Sequence, residues 1–372
     1  DEIAFGCENL AFSPEKISKQ IDTVCRLMKL DKSWQSRKLS GGQKQRLITA
    51  STLAMGQKIV ILDEPLANLD TAGAEMLMST LKSLAKAGYC IIVIEHRLDV
   101  VLPFVDKVFH VGNRNVNEIT DRENYLKEQS TEIEDTCSTF SGTLPAFSLA
   151  DVAFAVKERD ILNGVTFDIL KGSRTVLLGE NGCGKTTLLR LISRLEKPTR
   201  GVILQNIDDK FGQKSKQSKK WYKKVGVVYQ NPDYQLFMQT VEKEIKFGAK
   251  SDEYADEIAE KFGIKHLYAR HPQSLSEGQK RRVSIAAVVA TDPEVLILDE
   301  PTVGQDYKGL CEMVEVLNKL HEEAHNTMIT VTHDKRCAAA LCDKSVWIKN
   351  GKTYKTGGKE LVDEFFIQIG VN

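Results

Sequence analysis

The sequence has no long apolar run, no excess of either charge and no paired-cysteine motif. Its apolar runs are short, such as 91–94 and 295–298. A spanning helix needs about 18 or more such residues in a row, so the chain is not expected to cross a membrane by itself. Lys and Arg number 51 and Asp and Glu also 51, a net charge of zero. That argues against a nucleic-acid binder relying on a broad positive field, and no nucleic-acid partner is expected. The eight cysteines stand at 7, 25, 90, 137, 183, 311, 337 and 342, with no C-x-x-C pair and no signal-peptide pattern. A reducing, cytoplasmic setting is the expectation.

What is present is an ordinary globular composition, 42% hydrophobic and 27% charged, which excludes a disordered chain. At about 150 residues per domain, the length predicts two or three domains. The chain also repeats itself. Leu39-Ser40-Gly41-Gly42-Gln43 returns as Leu275-Ser276-Glu277-Gly278-Gln279, and Ile61-Leu62-Asp63-Glu64-Pro65 as Ile297-Leu298-Asp299-Glu300-Pro301, both 236 residues on. His96 answers His333, and Glu2-Ile3-Ala4-Phe5-Gly6 answers Glu244-Ile245-Lys246-Phe247-Gly248. Four features in one order at near-constant spacing mean two copies of one domain.

The expected organisation is a first domain over 1–112, a polar linker over 113–146 that is partly helical at 122–129, and a second domain over 147–372. Carried backwards, the repeat leaves about 95 residues before Glu244 without a first-copy counterpart, so the first copy is expected to lack its N-terminal part. Short β-rich runs alternate with helical patterns, which predicts α/β halves around mainly parallel sheets. Residues 176–179 and 295–299 read as buried parallel strands, 41–54 and 277–290 as helices. Asn350-Gly351 reads as a hairpin turn.

Gly179-Glu180-Asn181-Gly182-Cys183-Gly184-Lys185-Thr186 has the G-x-x-x-x-G-K-[ST] pattern between a predicted strand and a helix beginning near Thr187. Its glycines let backbone N–H groups turn inward on β- and γ-phosphates. Lys185 adds a positive charge, and the Thr186 hydroxyl suits Mg²⁺. Asp299 closes an apolar strand, where it is placed to hold Mg²⁺, and Glu300 to orient or deprotonate an attacking water. Strands often end in acidic turns; the phosphate loop upstream is what gives this pair its meaning. Ser40 and Ser276 each precede a helix-forming stretch, a second kind of anion site with no lysine of its own. A lone histidine after a strand is more often structural than catalytic. Two, His96 and His333, follow their Asp-Glu pairs at matching distances and favour the functional reading.

The order phosphate loop, Gln230, L-S-x-G-Q, Asp-Glu strand, histidine resembles the nucleotide-binding domains of the ABC superfamily over nearly the whole chain. The resemblance implies two P-loop halves, each a mainly parallel sheet core with a helical subdomain, and an antiparallel β subdomain complete only in the second. It implies an ATPase with ATP and Mg²⁺ as cofactors. Gln230 would reach Mg²⁺ and the attacking water, His333 would contact the γ-phosphate, and 303–306 would form the D-loop. Ser40, Gly41, Gly42, Gln43, Ser276 and Gly278 would be signature residues, and Asp63, Glu64, Asp70 and His96 the first-half counterparts. Halves of the family pair head to tail, so the second half's phosphate loop would meet 40–43 of the first. One departure stands out: Val152-Ala153-Phe154-Ala155-Val156 ends in Val where the family usually has an aromatic for adenine.

Gln230-Asn231-Pro232-Asp233-Tyr234-Gln235 and the 240–248 segment are similar to energy-coupling factor ATPases, importers of vitamins and transition metals. That likeness implies integral membrane partners, an energy-coupling transmembrane protein and a substrate-capture protein. It also implies a peripheral place on the cytoplasmic face of the membrane. The alternative is a soluble tandem ABC protein acting on ribosomes or DNA. The short, acidic linker favours the importer. The lysines between 214 and 224 read as a solvated loop.

Overall fold

The computed structural model describes residues 1–36, 39, 41–66, 69, 71–112, 115–129, 133, 137, 140–157, 159–207 and 219–370. Packing divides the chain into two compact units, Asp1–Thr131 and Glu132–Asn372.

The first unit runs α1 (Glu2–Asn9), α2 (Pro14–Leu27), α3 (Gly41–Ala54), β1 (Ile59–Asp63), α4 (Thr71–Lys86), β2 (Cys90–Ile94), α5 (Leu98–Val101), β3 (Phe109–Gly112), β4 (Asn115–Glu118) and α6 (Arg122–Gln129). Strands β1 and β2 pair in parallel from Ile59 opposite Cys90 to Asp63 opposite Ile94. Val60 and Leu62 face a core with Ala50, Leu53, Leu77 and Leu81 of α3 and α4. Ile59 and Ile61, on the opposite face, are each 64% exposed. Strands β3 and β4 form an antiparallel hairpin. Thus much of the segment expected as linker is structured, with α6 on the residues expected to be helical.

The second unit runs β5 (Pro145–Val156), β6 (Arg159–Leu170), β7 (Arg174–Leu178), α7 (Lys185–Ile192), β8 (Arg200–Gln205), α8 (Lys219–Lys224), β9 (Val225–Val228), α9 (Val241–Lys246), α10 (Asp252–Lys261), α11 (Glu277–Val289), β10 (Val295–Asp299), α12 (Tyr307–Ala324), β11 (Thr327–Val331), α13 (Lys335–Ala340), β12 (Lys344–Lys349), β13 (Lys352–Gly357) and α14 (Lys359–Gln368). The main sheet has the order β13-β12-β7-β11-β10-β9, parallel except for the β12–β13 hairpin. That hairpin turns at Asn350-Gly351, as the sequence predicts. An antiparallel sheet β6-β5-β8 stands beside it.

Strands β7, β10 and β11 are buried at every position, the pattern of parallel strands covered on both faces. Leu296 and Leu298 pack with Val283, Ile285 and Leu317 of α11 and α12. Val295 and Ile297 pack on the other side with Leu188 and Ile192 of α7 and Phe147 and Val165 of the antiparallel sheet. Each such side chain contributes about 1.5–3 kcal/mol on burial.

The basic cluster departs from expectation. Lys214 and Lys216 lie outside the described residues, but 219–224 form helix α8 instead of a loop. Trp221 anchors it, 1% exposed, donating its indole N–H to Gln205 Oε1 at 2.6 Å beneath the Arg194 guanidinium. Burial of Trp221 in the core beside Val225 and Ile207 ties the segment to the rest of the unit.

Candidate active site

The site of the second unit gathers at the carboxyl ends of β7, β9, β10 and β11. The phosphate loop leaves β7 and enters α7 at Gly184, whose φ is +106°. A side chain there would also strike Leu162 Cδ2 at 2.5 Å, so the turn needs glycine. Glu180, Asn181 and Gly182 form the exposed crest, and Gly179 and the half-buried Cys183 its inner side. Burial pushes the Cys183 thiol up, against the pull of Lys185. Lys185, 7% exposed, donates from Nζ to the carbonyls of Gly179 at 2.6 Å and Glu180 at 3.0 Å. The ammonium is thereby held inside the loop by weak neutral acceptors, which an anionic phosphate can replace. Thr187 continues α7.

Opposite the loop, Asp299 Oδ2 accepts the Thr186 hydroxyl at 3.1 Å. A carboxylate and a hydroxyl in contact are hard oxygen donors suited to Mg²⁺. Burial raises the Asp299 carboxyl and pushes Glu300 up to about 8. Two adjacent buried acids, 5% and 4% exposed, call for positive charge from outside, and the donor set therefore fits a nucleotide-bound Mg²⁺. His333 Nε2 lies 3.3 Å from Glu300 Oε1, and its backbone N–H donates to Glu300 Oε2 at 3.1 Å. Gln230 follows β9, its carbonyl accepting from the Arg281 guanidinium.

The first unit repeats part of this arrangement. His96 Nε2 lies 3.4 Å from Glu64 Oε1. Both glutamates have left-handed backbones, φ +46° at Glu64 and +55° at Glu300, and both backbone N–H groups bond the neighbouring strand, to Ile94 and Val331. Strain recurring at one position in two copies marks a functional geometry. Their acidities differ in direction. The His96 hydrogen bond lowers Glu64, whereas burial raises Glu300.

Ser276 caps α11 in a capping box: its Oγ accepts from Gln279 N–H at 3.3 Å, and Gln279 Oε1 accepts from Ser276 N–H at 3.2 Å. Among the described residues the Ser276 hydroxyl acts only as an acceptor in this box. Gly278 lies against the 303–306 segment, where a Cβ would meet Gly304 O at 2.7 Å, and its carbonyl accepts from Gln305 Nε2 at 2.8 Å. Gly41, Gly42 and Gln43 form the first turn of α3. Ser40 and Asp70 lie outside the described residues.

The sequence reading assigned no contact to several structural partners of the site. Arg281 and Lys280 hold the 229–233 segment, and Glu244 accepts from Phe237 and Met238 N–H at 2.9 and 2.7 Å. In the first unit, Glu95 Oε1 accepts from Leu66 N–H at 2.7 Å. The adjacency of Lys280 and Arg281 to the signature was the available signal.

A glycine-rich loop between a parallel strand and a helix, facing an acidic pair at the next strand but one, defines a P-loop nucleotide hydrolase. The ABC transporter family matches residues 8–67 and 162–303. YkoD of Bacillus subtilis, named for HMP/thiamine import ATP binding, is 32% identical over 92% of this chain and 70% of its own length. The solved structure of cbiO1 from Clostridium perfringens, part of the ABC transporter complex cbiONQ, is 32% identical, with a TM-score of 0.53 over 60% of this chain and 92% of that one. The ATP-binding cassette MJ0796, solved as a dimer bound to ADP and Pi, is 26% identical, with a TM-score of 0.51 over 57% of this chain and 98% of that one. The chain belongs to the ABC transporter family of ATP-binding proteins. It is an ATPase, with ATP and Mg²⁺ as its cofactors.

Proposed function

We propose that the second unit's phosphate loop, with Asp299, Glu300, Gln230 and His333, forms one composite ATP site with 40–43 of the first unit. Hydrolysis there powers import of a small molecule, a vitamin or a transition-metal ion, through separate membrane subunits. In this reading the chain acts at the cytoplasmic face of the membrane as a peripheral subunit of energy-coupling factor type.

Lys185 and the first N–H groups of α7 hold the β- and γ-phosphates. Thr186, Asp299 and Gln230 would hold the Mg²⁺, which would supply positive charge to offset that of the phosphates. Glu300 takes a proton from water as its oxygen bonds the γ-phosphorus in line. The bond to the β–γ bridging oxygen breaks, and ADP leaves with that electron pair. His333 bonds both Glu300 and the γ-phosphate. In this pairing the N–H groups and seryl hydroxyl of 40–43 would stabilise the transferred phosphoryl.

The observation that carries the transport half lies beside Gln230. Tyr234, Phe237 and Phe247 are 80%, 67% and 58% exposed, and Phe237 and Phe247 stack edge to face at 5.4 Å. Phe5, at the matching place in the first copy, is 67% exposed. Aromatic surface repeated at one position is suited to paired apolar segments of a membrane subunit. The import named for YkoD and the complex named for cbiO1 support the same occupant.

Among the described residues no helix is long and apolar enough to cross a membrane. The test is purification of the tagged protein from detergent-solubilised membranes. A polytopic subunit in stoichiometric amount, lost with Phe237→Ala plus Phe247→Ala while ATP turnover persists, is the expected outcome. Recovery with ribosomes or nucleic acid, and no membrane subunit, would move the function to the soluble alternative.

A further inference from the structure

Arg281 is 2% exposed within the first turns of α11, yet among the described residues it contacts no carboxylate directly. Its Nη1 donates to the Tyr229 carbonyl at 2.7 Å and its Nη2 to that of Gln230. Its Nε finds no acceptor among the described residues. Neighbouring Lys280 binds Asp233 Oδ1 at 2.9 Å, and Glu244 of α9 holds Phe237 and Met238. The chain after β9 is thus fastened to the helical subdomain at successive points, and Arg281 grips it closest to Gln230.

A buried guanidinium loses several kcal/mol of hydration, so two strong contacts are the least that justify it. The helix itself does not demand the cation, because Gln45 stands at the same place in the first copy. Attraction from Glu300 and Asp299 partly offsets the burial. We propose that Arg281 is a positioning residue that binds the main chain of Tyr229 and Gln230 to α11. Gln230 then moves with the end of the helix that carries Ser276 and Gly278. The proposal rests on the ATPase reading of Gln230 and deepens it: a displacement at one signature reaches the glutamine of the same half through less than two helical turns.

The test is amide hydrogen exchange on the full chain, wild type against Arg281→Gln and Arg281→Lys, with ATP turnover measured alongside. Arg281→Gln should speed exchange over 229–240 by about tenfold or more, the loss of one charge-assisted hydrogen bond. Exchange over 344–357 should stay unchanged. Its kcat should fall about tenfold with KM held within about twofold. Arg281→Lys, keeping the charge and one donor, should recover part of both. Unchanged exchange over 229–240, equal acceleration at 344–357, or faster exchange with full kcat would each overturn the proposal. A wild type that turns over no ATP would remove the functional reading, while the exchange data would still decide the clasp.

Discussion

Glu300 combines deep burial, a strained backbone and contact with His333, and these make its proton the most informative one in the molecule. Its pKa stands near 8 folded, against 4.5 for the ordinary side chain. Between those values the folded state keeps a proton that the unfolded chain has lost, so stability falls as pH rises through the window. The penalty at pH 8 is at most about 4 kcal/mol. Glu300→Gln removes it and keeps an acceptor for His333 N–H. Without nucleotide, this variant should melt at least about 3 °C above wild type at pH 8 and within about 1 °C of it at pH 5. An equal gain at both pH values would mean that packing, not ionisation, is responsible. With ATP and Mg²⁺, the same variant should lose about 10²-fold or more in kcat while still binding nucleotide. Full turnover would take the proton-acceptor role away from Glu300.

At the next scale, α11 carries a capped signature end and a buried flank at once. Its cap is separable from the rest: Ser276→Ala should lower stability by about 1 kcal/mol, read as a shift of the urea midpoint at constant slope. No shift would mean that the capping box is not formed in solution. Elements such as α3, α11 and β10 were legible in the sequence because caps, glycines and apolar runs are local signals. The phosphate loop and the acidic pair were legible because phosphate chemistry restricts residue type and spacing. Arg281 was not, since its partners lie 51 and 52 residues away and are carbonyls, which every residue has. Helix α8 was hidden for a related reason: five of its six neighbouring side chains suggest solvent or are ambiguous, and only packing of Trp221 against Gln205 and Arg194 decides the matter. In the chain between the two copies α6 was legible as a helical pattern, whereas β4 was concealed behind a polar composition because its partner, Phe109–Gly112, comes from the preceding domain.

Across the whole molecule, two copies of one sequence pattern reach different burial. Ile61 and Ile297 occupy the same place in the repeat and in the strand register, yet one is 64% exposed and the other fully buried. In the second unit α7 and the antiparallel sheet cover that face. Among the described residues of the first unit no such layer is present. Ile61→Thr should therefore change stability by less than about 0.5 kcal/mol, and Ile297→Thr should cost about 2–4 kcal/mol by leaving a void and burying a hydroxyl. Calorimetry of both variants checks this, and an equal cost would show that the Ile61 face is covered in solution. The proposed pairing can be tested by nucleotide count. The sequence holds one G-x-x-x-x-G-K-[ST] loop and two signature segments, which under that proposal supply every part of one site. Equilibrium dialysis of this chain with Mg-ATP should give one nucleotide per chain, lost in Lys185→Ala. Two bound nucleotides would require a phosphate-binding turn in the first unit that lacks the lysine, and would break the composite-site reading.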